Sequence, residues 1–287
     1  MEHLSESQGL VELNDYEDYV SQETLDRIAE KGRQLQGASV VHVNSTYYGG
    51  GVAELMTSLS LLMNDVGLEA DWRIIRGNAD FFDVTKGIHN ALQGGEFEWT
   101  DERKQVYEEV NYENAVRMQL DTDFVVIHDP QPLPLFEFHG RRRNPWFWRC
   151  HIDLSEPHQE TWNYLKPFAE QYDAGIVTLE QYKRDVDIPQ YLFRPCIDPF
   201  KLKNRHLSSA QIDERLAQYD IPTDKPILTQ ISRFDKWKDP IGVIEAFQKI
   251  RQEVDATLVL LGNVATDDPE GVEVYEEVSQ HADEDEE

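Results

Sequence analysis

Short apolar runs alternate along the chain with longer stretches in which apolar positions recur at helical spacing, the pattern of a parallel α/β sheet. The runs predict strands at 39–44, 70–75, 124–128, 146–151, 175–179 and 191–195, then at 227–232 and 257–261. Val40, Val41 and Val43 give the first run the β-branched enrichment of a buried strand. The amphipathic stretches predict helices at 51–66, 80–92, 101–120, 157–172, 208–219 and 240–253. Leu55, Leu59 and Leu62 carry the helical period in the first of these.

The pattern changes near 197–225. Ile197, Asp198, Pro199 and Phe200 close the sixth strand, a polar helix follows, and Ile221 to Pro226 open a fresh βαβ unit. Residues 1–200 therefore read as one doubly wound, Rossmann-like domain, and 201–287 as a linker with the first part of a second. A lone βαβ unit cannot cover both faces of its sheet, so the expectation is a truncated sequence. The acidic end, Ala282 to Glu287, is expected to be solvated.

Charge narrows the range of partners. The 287 residues include 27 basic and 55 acidic side chains, a formal net charge of −28, which repels nucleic acid and acidic lipid. Lysine is scarce, 11 against 16 arginines, and a carboxylate-rich, lysine-poor surface suits concentrated salt; a halophilic protein is expected. No apolar run has the length of a membrane span, and the polar, acidic N-terminus lacks the pattern of a secretory leader. Cys150 and Cys196 are too few for a disulfide framework, which points to free thiols and a cytoplasmic protein.

The candidate chemistry gathers where strands end. In Val41-His42-Val43-Asn44-Ser45-Thr46-Tyr47-Tyr48-Gly49-Gly50-Gly51-Val52-Ala53-Glu54 a strand runs through a glycine-rich turn into a helix. Such a turn either cradles an anion at the helix N-terminus or is simply tight. Glu54 stands where a dinucleotide fingerprint needs glycine, which disfavours NAD, and no Walker lysine is present. Arg233 and Lys238, in Ser232-Arg233-Phe234-Asp235-Lys236-Trp237-Lys238, flank a second strand end; they either grip a phosphate or balance acidic neighbours.

Two further motifs follow strands: His128-Asp129-Pro130-Gln131-Pro132 and Arg149-Cys150-His151-Ile152-Asp153. Ligands of open α/β sheets bind at the carboxyl ends of strands, so these motifs point to one crevice, with His128, Asp129, His151 and Asp153 as candidate contacts. Asp121-Thr122-Asp123 precedes its strand and reads as a solvated turn. His128, Asp129, His151 and Asp153 match no closed zinc site, and no metal is expected. Arg141-Arg142-Arg143 reads as an exposed loop that balances charge or touches an anionic substrate. No G-x-S-x-G elbow is present, and Cys150 lacks a triad partner.

Together with the stretch from Val84 to Gly94, these motifs resemble the trehalose glycosyltransferring synthases, within retaining glycosyltransferase family 4, over about residues 10–280. The resemblance implies the GT-B fold: two Rossmann-like domains facing across a cleft, the first for the acceptor and the second for a nucleotide sugar. It implies synthesis of trehalose from a nucleoside-diphosphate glucose and glucose, with retention and without metal or further cofactor. By position, Arg233 and Lys238 would bind the donor diphosphate and stabilise it as it leaves. Gly50 and Gly51 would let the loop close on the phosphates, His151 would contact the donor sugar, and Asp129 and Glu54 would meet acceptor hydroxyls.

The leaving phosphate would take the acceptor proton, so no protein nucleophile is needed, unlike two-carboxylate glycosidase chemistry. The family's Glu-x7-Glu motif lies beyond the last residue here, so the chain alone is expected to be weakly active or inactive. The implied partners are small sugars and a nucleotide sugar, and a homodimer stays open. A trehalose phosphorylase of the same family and a non-catalytic sugar-binding protein are the competing readings.

Overall fold

The computed structural model describes residues 11–47, 50–140, 144–262 and 270–283. Gly49, Arg141 to Arg143, Thr266 to Pro269 and the last four residues lie outside them. The chain divides into two compact units, Met1–Asp198 and Pro199–Glu287.

In the first unit, helix α1 (Gln22–Gln34) precedes β1 (Ser39–Asn44), α2 (Gly51–Asp65), β2 (Glu69–Ile74), α3 (Ala79–Leu92) and α4 (Asp101–Arg117). Then come β3 (Phe124–His128), α5 (Leu135–His139), β4 (Trp146–Arg149), α6 (Gln159–Ala169), β5 (Ala174–Val177) and β6 (Gln190–Leu192). The strands form one sheet in the order β2-β1-β3-β4-β5-β6, and every pairing is parallel. From β1 the chain steps to β2 on one side and returns to β3 on the other. Strands β1 and β3 therefore bound the switch point where such sheets open a crevice.

Burial explains the sequence pattern. Val41, Val43, Val125, Ile127, Trp146 and Trp148 lie in the sheet's buried core, with Phe81, Ile88 and Leu92 of α3 and Leu165 of α6 packed on it. Side-chain caps start the helices: Ser21 accepts from the Thr24 N–H, Asn78 from Phe81 and Thr100 from Arg103. Asp123 is more than a solvated turn. Its carboxylate accepts both the N–H and the hydroxyl of Ser39, at 2.8 and 2.9 Å, and so ties the starts of β1 and β3 together.

Several predicted elements are shorter than expected, these three among them. The strand from Trp146 ends at Arg149, because after the Cys150 N–H bonds Ile176 O the chain turns out of the ladder. The helix expected at 101–120 stops at Arg117, with Met118 in extended backbone. The helix expected at 157–172 spans Gln159–Ala169. Helix α1 was not predicted; only Leu25 and Gly32 of it are buried.

In the second unit, α7 (Ser209–Ala217) leads to β7 (Ile227–Ile231), α8 (Pro240–Ile250), β8 (Thr257–Leu261) and α9 (Glu270–Asp283). Strands β7 and β8 pair in parallel as a two-stranded sheet. Ile244 of α8 and Val274 and Val278 of α9 form its buried cluster, with Phe234, Leu258 and Leu260 packed against them. Ile231 and Leu261, at the strand ends, are exposed.

Candidate functional site

Three histidines from three neighbouring segments line up in the first unit. His42 Nδ1 lies 3.0 Å from His128 Nε2, and His128 Nδ1 lies 2.9 Å from His151 Nε2. The rings of His128 and His151 stack, with centroids 5.2 Å apart. His42 on β1 and His128 at the end of β3 are buried, whereas His151, two residues beyond β4, is half-buried. Burial pushes His42 down to about 4 and His151 down to about 3, the latter helped by the Arg149 charge. Burial also holds His128 well below its ordinary value, with His42, His151 and Arg149 adding to the effect. All three are uncharged at neutral pH.

The neighbouring turn is fixed as firmly. Asp129 stands in the left-handed region, φ 61°. Its N–H donates to Arg149 O at 2.9 Å and its carbonyl accepts from Trp148 Nε1 at 3.0 Å. Its carboxylate Oδ1 accepts the His151 backbone N–H at 2.7 Å. Downstream, the carbonyls of Pro130, Gln131 and Leu133 accept from the Tyr107 hydroxyl, Asn111 Nδ2 and the Tyr172 hydroxyl. Buried Arg149 donates through Nη2 to Phe193 O at 2.6 Å, and its Nη1 has no partner. Burial pushes the Cys150 thiol up, which keeps it protonated and poorly nucleophilic.

The structure reassigns some sequence candidates. His128 was expected to touch substrate, but it is buried and both ring nitrogens are engaged, so it stands behind His151. Asp153 was a second contact candidate; its Oδ1 accepts from the Ser155 N–H and hydroxyl, and its carboxylate also bonds the Tyr182 side chain. His42 was quoted in the glycine-rich motif without a role. A histidine interrupting a β-branched run in a central strand was the signal to follow.

Gly50 and Gly51 lead into α2, whose N-cap has no side-chain hydrogen bond. Gly50 is extended, φ −162°, and a Cβ added at either glycine would meet nothing within 4 Å. Neither backbone angle nor protein neighbour demands glycine there, and the open space admits a ligand to the backbone. Glu54, in the first turn of α2, is half-buried.

In the second unit the motif after β7 divides by chemistry. Phe234 packs into the small core, edge-on to Tyr275 with centroids 5.0 Å apart. Asp235 is buried, accepts the Trp237 N–H at 2.8 Å, and lies 3.6 Å from Arg233 Nη2. Asp239, φ 49°, caps α8 by accepting from the Gly242 N–H. Arg233 is half-buried and Lys236 and Lys238 are exposed, so this turn displays three cations on a firm base. Among the described residues, no group of three His, Cys, Asp or Glu side chains converges as a metal site, and no helix is long and apolar enough to cross a membrane.

Residues 42–184, which hold the histidine row and the Asp129 turn, match the family described as "Trehalose synthase, N-terminal domain". A trehalose synthase of Thermococcus litoralis is 44% identical over 279 residues, 95% of this chain and 67% of its own length. The chain belongs to the trehalose synthase family. A trehalose synthase of Pyrococcus furiosus matches with the same identity and the same coverage. The chain thus spans about two thirds of the length of these family members. Among solved structures, an α,α-trehalose-phosphate synthase (UDP-forming) from Burkholderia xenovorans, in complex with glucose-6-phosphate, aligns with a TM-score of 0.64 at 10% identity. That alignment covers 86% of this chain and 71% of the other, and it supports the GT-B fold expected from sequence. Membership of the family points to trehalose-related glycosyl transfer.

Proposed function

We propose that the chain serves a retaining transfer in which glucose accepts a glucosyl group from a nucleoside-diphosphate glucose to form trehalose. The observation that supports this most is the row of uncharged histidines ending at His151. A sugar is a neutral polyol, best held by neutral hydrogen-bonding groups fixed in advance. His151 contacts the transferred sugar, and Asp129 and Glu54 shape the acceptor side of the first unit. Gly50 and Gly51 bring backbone N–H groups to the phosphates.

In the second unit Arg233 and Lys238 bind the donor diphosphate and stabilise its charge as it leaves. The bond from the anomeric carbon to the diphosphate oxygen breaks, and a new one forms to the glucose hydroxyl oxygen on the same face. The hydroxyl proton passes to the departing diphosphate, so no side-chain nucleophile or further cofactor enters. The free thiols Cys150 and Cys196 suit the reducing cytoplasm, and the acidic surface suits high salt.

The test is trehalose formation from ADP-, UDP- or GDP-glucose and glucose, run with this chain and with a chain of the relatives' full length. Trehalose and nucleoside diphosphate in equal amounts from either supports the proposal. Trehalose breakdown that depends on inorganic phosphate identifies a phosphorylase instead. Sugar binding by calorimetry without product from either chain identifies a binding protein.

A further inference from the structure

Each neutral imidazole carries one N–H donor and one acceptor nitrogen. In a row of three, one choice of direction therefore fixes all the others. Either every Nδ1 is protonated and donation runs from His42 through His128 to His151, or every Nε2 is protonated and donation runs the opposite way. The two ends decide between these.

His42 Nε2 is buried and has no hydrogen-bond partner. In the second arrangement that atom would be a buried N–H with no acceptor. In the first it is only an unpaired lone pair, and orphaned buried N–H groups are the rarer of the two in folded proteins. The first arrangement leaves the Nδ1–H of half-buried His151 as the donor at the outer end of the row.

We propose that His128, backed by His42, is a positioning residue that holds His151 as its Nδ1–H tautomer, so that the carboxyl edge of the sheet offers a sugar oxygen a fixed hydrogen-bond donor. The proposal rests on the reading that His151 meets the transferred sugar. The Asp129 carboxylate fixes the backbone of His151, so its ring and its main chain are held by two consecutive residues at the end of β3. The buried surroundings keep the row from resolving its direction by taking up a proton near neutral pH.

Long-range 1H–15N correlation spectra of the chain without sugar test the direction directly. All three histidines are expected as Nδ1–H tautomers; three Nε2–H signals overturn the proposal. Calorimetry with glucose and with ADP-, UDP- and GDP-glucose then tests the consequence. His128→Asn places an amide donor where Nδ1 was and is expected to keep His151 as Nδ1–H, with binding within about twofold of the parent. His128→Leu removes the donor, mixes the His151 tautomers and weakens binding about fivefold, one neutral hydrogen bond's worth. Unchanged binding in His128→Leu overturns the proposal. If that variant fails to fold, the parent spectrum and His128→Asn still decide. Nδ1–H signals in a chain that binds no sugar overturn the sugar reading and leave the tautomer assignment standing.

Discussion

Asp129 holds the backbone of His151 through a 2.7 Å hydrogen bond while its own backbone stands at φ 61°. Two demands therefore meet in one residue: a short side chain that accepts a hydrogen bond, and tolerance of the left-handed region. Asn satisfies both and Ala neither. Asp129→Asn is expected to stay within about 1 kcal/mol of the parent, and Asp129→Ala to lose about 2–4 kcal/mol. Urea unfolding of the two variants checks the difference. Equal stability would show that neither demand matters.

Acid should unlock the first unit through its histidines. An unfolded histidine takes up a proton near pH 6.5, whereas His42 in the fold does so only near 4. A lowered folded pKa means that the stabilisation is complete above pH 6.5 and is lost as pH falls towards 4. For the first proton taken up, the loss is about 3 kcal/mol. Melting temperature measured from pH 8 to pH 4 should fall across this window, and His42→Asn should flatten the fall.

Gly87 lies on α3 directly beneath Phe97. A Cβ there would come within 2.2 Å of the Phe97 ring. Gly87→Ala gains helix propensity, yet the clash wins, with a net cost of about 1–3 kcal/mol. Pairing it with Phe97→Leu should recover part of the loss, which thermal unfolding of the double variant would reveal.

Arg233 is held beside buried Asp235, so its guanidinium is oriented before any anion arrives. Arg233→Ala is expected to weaken nucleoside-diphosphate binding about 10–100-fold, the worth of a charge-assisted hydrogen bond, and Arg233→Lys to weaken it less. Calorimetry with ADP, UDP and GDP measures this. Affinity that is indifferent to both changes would remove Arg233 from the donor site.

With a net charge of −28, the surface repels itself at low ionic strength. Melting temperature should rise between about 0.1 M and about 3 M KCl, most steeply where screening first sets in. A flat profile would mean that the acidic surface carries no adaptation to salt.

The buried strands were legible because parallel strands covered on both faces become apolar runs, continuous in Phe124 to Ile127 and broken only by His42 in Val40 to Val43. Helix α1 was overlooked although its signal is present: Leu25, Ile28, Ala29 and Gly32 recur at helical spacing behind the Ser21 cap. The site was legible as a set of strand ends. Its internal roles were not, because they depend on register: β1 lies against β3 with Val43 beside Ile127, and this brings His42 to His128. Nothing local in either segment announces that meeting. Asp153 and Asp129 look alike in sequence, and only the fold shows the first bonding Ser155 and Tyr182 and the second the His151 backbone.

The pairing of β1 with β3 also sets an order of assembly. His42 and His128 are 86 residues apart, and the intervening chain supplies α2, β2, α3 and α4. Closing so long a loop comes before any of its contacts are rewarded, which places folding of such sheets on the order of milliseconds to seconds. Until the loop closes, both imidazoles sit in water and exchange protons freely. The central strands join with both imidazoles uncharged, so the pH of refolding sets how often the unfolded chain is ready to close, and refolding near pH 5 should be slower than refolding near pH 8.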